Sequence, residues 1–267
     1  MSRRSQRLGT FAGRLGIAAL YAFVLAPILL VIAISFSGDS FISFPPRSWG
    51  LRWYRALFEN EAFARGFRVS LILASTVVAL DLLIGVPAAY AIARLRFPGR
   101  DSLLAFLTAP LLLPTIVLGL AMLLVFYPLR LAATYPGLVA AHMTVTLPFV
   151  VRIVATALST LPLELEDAAA TLGASPATVF RRITLPLMLP GVIAAAALAF
   201  ILSFDEVVIS LFVVGPRLST LPVELFRYVE GRTDPLVAAL SSVLILATVA
   251  AVLVVERSVG VMRALGR

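Results

Sequence analysis

Long uncharged blocks separated by short arginine-rich stretches set the pattern of this chain. Between Arg14 and Asp39 there is no charge. Leu15–Phe36 therefore predicts a first helix able to cross ~30 Å of hydrocarbon, which takes about 20 mostly apolar residues. Between Arg68 and Arg94 the one charge is Asp81, predicting a second span near 69–93. The uncharged run from Asp101 to Arg130 predicts a third near 103–127. A fourth is expected near 137–158 with Arg152 toward its end, a fifth near 190–214 carrying Asp205 and Glu206, and a sixth at 235–255. The pattern predicts an all-α integral membrane protein of six transmembrane helices. Pro87, Pro110, Pro114 and Pro148 lie in or beside these spans. Each would cost ~3 kcal/mol inside a soluble helix, but neighbouring helices of a membrane bundle can re-satisfy the freed carbonyls.

Arginine placement predicts the orientation. With the N-terminus inside, 13 arginines fall on the cytoplasmic side and 9 outside. Both termini are then cytoplasmic, with tails at 1–14 and 259–267 flanking one six-helix domain at 15–258. The N-terminal arginines and apolar run resemble a signal peptide, but the run exceeds the usual 7–15-residue core and no small-residue cleavage site ends it. An uncleaved first helix is expected.

Composition narrows the chemistry. The 267 residues are 61% hydrophobic and 13% charged, against roughly 45–50% and 25% in ordinary soluble domains, and mean hydropathy is +1.03. Too little polar surface exists to cover such a chain in water. With no cysteine, disulfides, thiolate metal sites and cysteine nucleophiles are excluded. All 22 basic residues are arginine. A phosphate-binding loop with its Gly-Lys-Ser/Thr core is thus impossible, as is lysine Schiff-base chemistry. The formal charge of +8 is read as an orientation device facing anionic lipid, not as a nucleic-acid footprint.

The segment 161–190, LPLELEDAAATLGASPATVFRRITLPLMLP, is too polar to span and too patterned for a slack loop. Glu164–Leu172 carries acids in its first turn, which suits the helix dipole. Gly173 fits the position past a helix end where positive φ is wanted. Ser175-Pro176 reads as an N-cap followed by proline at the first helical position. Val179, Phe180 and Ile183 then form an apolar stripe with Arg181 and Arg182 turned elsewhere, and Leu185-Pro186 is expected to stop the helix. A helical hairpin results, either projecting into the cytoplasm or lying on the bilayer as an interfacial element.

Asp167-Ala168-Ala169, then Gly173 six residues after Asp167, then Ile183, Leu185 and Pro186, resembles the EAA motif of permease subunits of binding-protein-dependent ABC importers. Asp167 stands where the motif has Glu, and Glu166 just before it could share that role. The resemblance implies a type I ABC importer permease fold in a bacterial inner membrane, with the hairpin between the fourth and fifth spans as the coupling element. Glu166, Asp167, Ala168, Ala169, Gly173, Ile183, Leu185 and Pro186 would then belong to the contact with an ATPase. It implies as partners two cytoplasmic ATP-binding subunits, a second permease subunit and an extracytoplasmic solute-binding protein. This chain would hold no catalytic residue, metal or cofactor, since ATP and Mg would be used by the partner ATPase.

Three acids fall within the predicted spans. Counted from Pro190 at ~1.5 Å per residue, Asp205 and Glu206 sit about 22 Å along the fifth helix. A carboxylate there costs at least ~2.5–3.5 kcal/mol on insertion scales, so an adjacent pair calls for a reason. Either one lines a water-accessible path for a cation, or both are held by arginines or backbone donors at the bundle's edge. Asp81 is read as structural or as a third path residue, and His142, the only histidine, as a hydrogen-bonded packing residue. The run Ser203-Phe204-Asp205-Glu206-Val207-Val208-Ile209-Ser210, with Val214-Gly215-Pro216 after it, resembles permeases of the spermidine/putrescine branch. Leu221-Pro222-Val223, Asp234-Pro235 and Ala88-Ala89-Tyr90-Ala91 with Arg94 fit that branch too. It implies a polyamine solute and a paralogous second permease, with opines, thiamine or iron complexes as the alternative solutes. An intramembrane hydrolase would need a nucleophile paired with His142. A stand-alone secondary transporter would need a coupling-ion site and commonly inverted repeats. Neither pattern is visible.

Overall fold

The computed structural model describes residues 3–259, and helices dominate them. In chain order these are α1 (Arg3–Ser35), α2 (Arg52–Glu59), α3 (Glu61–Arg94), α4 (Arg100–Thr108), α5 (Thr115–Phe126) and α6 (Tyr135–Ser159), followed by α7 (Glu164–Thr171), α8 (Pro176–Val179), α9 (Leu185–Phe204), α10 (Val208–Val213), α11 (Leu221–Gly231) and α12 (Leu236–Val259). Of the C-terminal tail expected from 259 onward, 260–267, with Arg263 and Arg267, lie outside the described residues. Among the described residues the only extended pairings are two single bridges, Ser37 with Trp49 and Gly215 with Leu218.

Four helical stretches are long and apolar enough to cross a membrane: Gly13–Ser35, Glu61–Arg94, Tyr135–Ser159 and Pro176–Phe204. A fifth is reached if the bent pair Arg100–Leu112 and Thr115–Phe126 counts as one span. The first, second and fourth expected spans are thus found close to their expected limits. The third is not the single helix expected at 103–127. A 3-10 turn at Ala109–Leu112 ends its first half, and the second half departs at 106°. Pro110 and Pro114 are the cause, since neither can donate to an α-helical ladder.

The fifth expected span is also redrawn. Leu185-Pro186 does not stop the second arm of the hairpin. The helix runs through a π-turn at Phe180–Thr184, in which the Leu185 N–H reaches back to Phe180 O, and continues into α9. A π-turn shifts the hydrogen-bond register by one residue, which lets Pro186 enter without breaking the helix axis. At the other end α9 stops at Phe204. Asp205 and Glu206 therefore lie in a break before α10, not within a continuous helix.

The chain divides into two compact units, one built from residues 1–61 with 228–252, the other on 62–227. In the first, Tyr54 ties helices together: its hydroxyl lies 2.7 Å from Ser35 Oγ at the end of α1 and 2.8 Å from Ser242 Oγ in α12. Between α1 and α2 the loop closes around Asp39. Its carboxylate accepts from Arg47 N, Ser48 Oγ and Ser43 Oγ, while its carbonyl accepts from Trp53 Nε1. Residues 13–30 of α1 are exposed throughout.

In the second unit α6 is the central helix, with Val150, Val154 and Leu158 fully buried. Small residues let its neighbours close in on both sides. A Cβ on Gly85 of α3 would meet Val150 Cγ1 at 2.9 Å, and one on Gly191 of α9 would overlap Ala157 Cβ. Ala89 and Ile92 of α3 and Met188 and Ala195 of α9 complete this apolar core. A second cluster joins Leu73 and Val77 of α3, Leu138 of α6 and Ile209 and Val213 of α10.

Candidate functional site

The hairpin at 161–190 forms by the local rules that its sequence states. Helix α7 ends in a Schellman motif: Ala174 N–H bonds Ala169 O, Gly173 N–H bonds Ala170 O, and Gly173 has φ +83°. Ser175 Oγ accepts from Thr178 N and Pro176 follows at the first helical position, so a second arm starts at once. Val179 is buried and Phe180 and Ile183 are half-buried, while Arg181 and Arg182 face out. The apolar stripe is as the spacing predicts.

Its outward surface is unusual. Leu163, Leu165 and Leu172 are exposed, Leu172 to 89%. Asp167 and Ala168 lie open beside them, with Ala169 half-buried. Glu166 does not share the open face. Its Oε1 accepts from Arg94 Nε at 3.0 Å in a pair that is 6% and 15% exposed, and Arg94 Nη2 also donates to Leu161 O at 3.2 Å. Leu185 is half-buried against the core of α3 and α6, and Pro186 is exposed. The structure therefore divides the candidates into an outward set (Asp167, Ala168, Gly173) and an inward set (Glu166, Ile183, Leu185).

The break between α9 and α10 is a second polar site. Glu206 Oε1 accepts from Ile209 N at 2.9 Å and so caps α10. Ser210 Oγ donates to Glu206 O at 2.9 Å. Such local side-chain bonds compete with the helical ladder and hold the chain open here. Asp205 is exposed and Glu206 half-buried. His142 on α6 bridges the break, with Nδ1 2.9 Å from Ser203 Oγ and Nε2 2.9 Å from Ser210 Oγ. Hydrogen counting assigns the tautomer: Ser210 spends its only proton on Glu206 O, so Nε2 donates to Ser210 and Nδ1 accepts from Ser203.

Residues 82–263 match the family of binding-protein-dependent transport system inner membrane components, a stretch that contains both the hairpin and the break. The chain belongs to this family. It is a permease subunit of an ABC importer, an inner-membrane component with several apolar helices and, by family, a transport subunit. It is 34% identical over 232 residues to the putrescine transport system permease protein PotI of Escherichia coli (strain K12), covering 84% of this chain and 82% of the relative. It is also 34% identical over 227 residues to the spermidine/putrescine transport system permease protein PotC of the same organism, covering 85% and 86%. Its fold is shared with a chain of a bacterial ABC transporter involved in the import of the acidic polysaccharide alginate. There the TM-score is 0.76 at 15% identity, covering 96% of this permease and 98% of that chain.

The third acid stands apart from both sites of the permease. Asp81 is fully buried on α3, where Oδ2 accepts from Thr146 Oγ1 of α6 and Oδ1 has no hydrogen-bond partner. It borders no open surface in this conformation. Two contacts near these sites are made by residues far away in the sequence. Arg94 enters the sequence pattern as the end of a span and as part of the run that fits the spermidine/putrescine branch, and the segment around it contains no signal that it reaches 72 residues ahead to Glu166. His142 is the buried, hydrogen-bonded packing residue expected, and what the sequence does not supply is its partners, the serines on either side of Asp205-Glu206.

Proposed function

We propose that this permease forms half of the translocation pathway for a small polyamine, with the putrescine- and spermidine-named relatives as the chief support. Its span count in this reading is six, comprising α1, α3, the bent pair α4–α5, α6, α9 and α12 in one domain at 15–258, with both termini cytoplasmic. The hairpin 161–190 docks on a cytoplasmic ATP-binding subunit. The observation that carries this is a proline- and glycine-set hairpin whose leucines at 163, 165 and 172 are left exposed by their own chain, Leu172 almost wholly. Large apolar side chains left bare beside small residues mark an interaction surface. Asp167 beside them offers a charge to a basic partner.

Two ATP-binding subunits, a paralogous second permease and an extracytoplasmic binding protein complete the assembly in this reading. ATP and Mg are used by the partner, and this chain needs no cofactor and performs no catalysis. Closure of the partners biases the permease between inward- and outward-open states. Asp205, exposed at the break between α9 and α10, is the side chain offered to a cationic solute, with Glu206 holding the local shape.

Uptake of labelled putrescine and spermidine tests this, in a host lacking its own polyamine uptake and expressing the full set of subunits. Uptake that vanishes when the partner ATPase loses its catalytic residue supports both the coupling and the solute. Asp205→Asn is expected to reduce uptake more than Glu206→Gln. An assembled complex that takes up neither polyamine overturns the solute and directs the search to opines, thiamine or iron complexes.

A further inference from the structure

The hairpin is covalently joined to α6 and α9, yet a third helix holds it. Tyr90 and Arg94 are four residues apart on α3 and therefore share a face of its last turn. Arg94 grips the first arm and its root, donating from Nε to Glu166 and from Nη2 to Leu161 O. Tyr90 meets the second arm, its ring edge-on to Phe180 with centroids 5.1 Å apart and planes at 82°. Phe180 is the first residue of the π-turn that leads into α9. Leu161 and Leu185, at the two roots of the hairpin, pack against the core to which Ala89 and Ile92 of α3 belong.

We infer that the last turn of α3 is a clamp on both arms of the hairpin and delivers its displacement to the second span, with Arg94 and Tyr90 as positioning residues. This rests on the reading of the hairpin as the ATPase contact. The covalent joints of the hairpin depart from regular α-helix. One is the non-helical stretch 160–163 after α6, and the other is the π-turn before α9. The α3 clamp is different in kind. A guanidinium nearly closed off from solvent is fixed by the Glu166 carboxylate of the first arm and by the Leu161 carbonyl at its root, and removing either charge strands the other in an apolar surround. The first arm cannot shift without moving α3 or breaking this pair, and the second cannot without moving α3 or parting Phe180 from Tyr90. The hairpin's motion thus enters the membrane through three helices, one of them far away in sequence.

The test uses the whole complex in lipid vesicles, with binding protein, and reads solute uptake and ATP hydrolysis in the same preparation. Arg94→Ala and Glu166→Ala are expected to lower solute moved per ATP by about tenfold while the ATPase still co-purifies. Arg94→Glu combined with Glu166→Arg is expected to recover much of that ratio, which a general loss of stability would not do. Tyr90→Phe should be silent, because the ring edge makes the contact, and Tyr90→Ala should add to Arg94→Ala. If Arg94→Ala does not assemble, Arg94→Lys keeps one contact and loses the other, and an intermediate ratio is expected. An unchanged ratio in the Arg94 variants, or no recovery in the charge swap, overturns the clamp. Failure of the underlying reading looks different: Leu172→Glu on the outward face would leave ATPase association and uptake intact.

Discussion

Thr146 of α6 donates its hydroxyl to Oδ2 of Asp81 on α3, and that bond is the one hydrogen bond the structure gives to a carboxyl with no exposed surface. Thr146 Oγ1 also lies 3.0 Å from His142 O, so the threonine stands between a buried acid and a helix carbonyl. Thr146→Val keeps the shape and removes the donor, and is expected to cost about 2 kcal/mol. Thermal unfolding of the purified subunit in detergent measures it. Adding Asp81→Asn should recover part of the loss, because an amide is cheaper than a carboxyl to leave without that partner. Equal losses in the single and double variants would show that the bond carries no weight.

Gly191 and Ala157 make the nearest approach of α9 to α6. Gly191→Val would force the helices apart and is expected to destabilise by about 2 kcal/mol, the usual scale of overpacking. Gly13→Ala is the control, since nothing lies within 4 Å of a Cβ there. The same unfolding measurement should separate them, with the Gly13 variant as stable as the parent or more stable by up to about 1 kcal/mol, since alanine is the better helix former.

Gly173 presents the opposite case, open space with a demanding backbone. No atom lies within 4 Å of its missing Cβ, but φ is +83°. A side chain there costs about 1–2 kcal/mol through the left-handed conformation alone, and a β-branched one costs more. Gly173→Val is expected to cripple uptake with the subunit still inserted, Gly173→Ala less so, and Gly173→Asn least, since asparagine tolerates this conformation. Uptake assays paired with a membrane-fraction immunoblot check the order, and normal uptake in Gly173→Val would remove the hairpin from the mechanism.

Asp39 gives the loop between α1 and α2 a pH dependence. The Arg47 backbone N–H, then the Ser48 hydroxyl, hold its carboxyl below the ordinary 3.8. A carboxyl lowered on folding adds stability that is present above its unfolded value and is lost as pH falls through the folded one. The loop should therefore loosen only below about pH 4. The chain's two tryptophans, Trp49 and Trp53, both belong to this region, and Trp53 Nε1 donates to Asp39 O. Intrinsic emission is expected to shift in that acid window, and in Asp39→Asn to be shifted already at pH 7. A pH-independent spectrum would contradict this.

How far the sequence could be read depended on the range of the forces involved. Apolar length placed α1, α3 and α6 because burial in hydrocarbon is set residue by residue. Gly173, Ser175 and Pro176 announced the hairpin because caps and turns are made by neighbours in the chain. The same reading failed at Pro186, where a shifted hydrogen-bond register absorbed the proline, and at Pro110 and Pro114, where a tolerated kink became a 106° bend. It failed again at Asp205 and Glu206, since a helix break depends on which groups take the freed backbone bonds, here Glu206 Oε1 and Ser210 Oγ, and the Ser210 hydroxyl is in turn held by His142 from another helix. Arg94 was invisible for the same reason: its partner lies 72 residues away.

The bareness of α1 has a consequence for how its residues can vary. From 13 to 30 no side chain is enclosed by its own chain, so this subunit judges those positions by apolarity and not by shape. Exchanges among Leu15, Ile17, Leu20, Val24 and Leu29 leave the chain's own packing untouched. Any position along that stretch that does reject a change of shape is thereby reporting the outline of a neighbouring molecule.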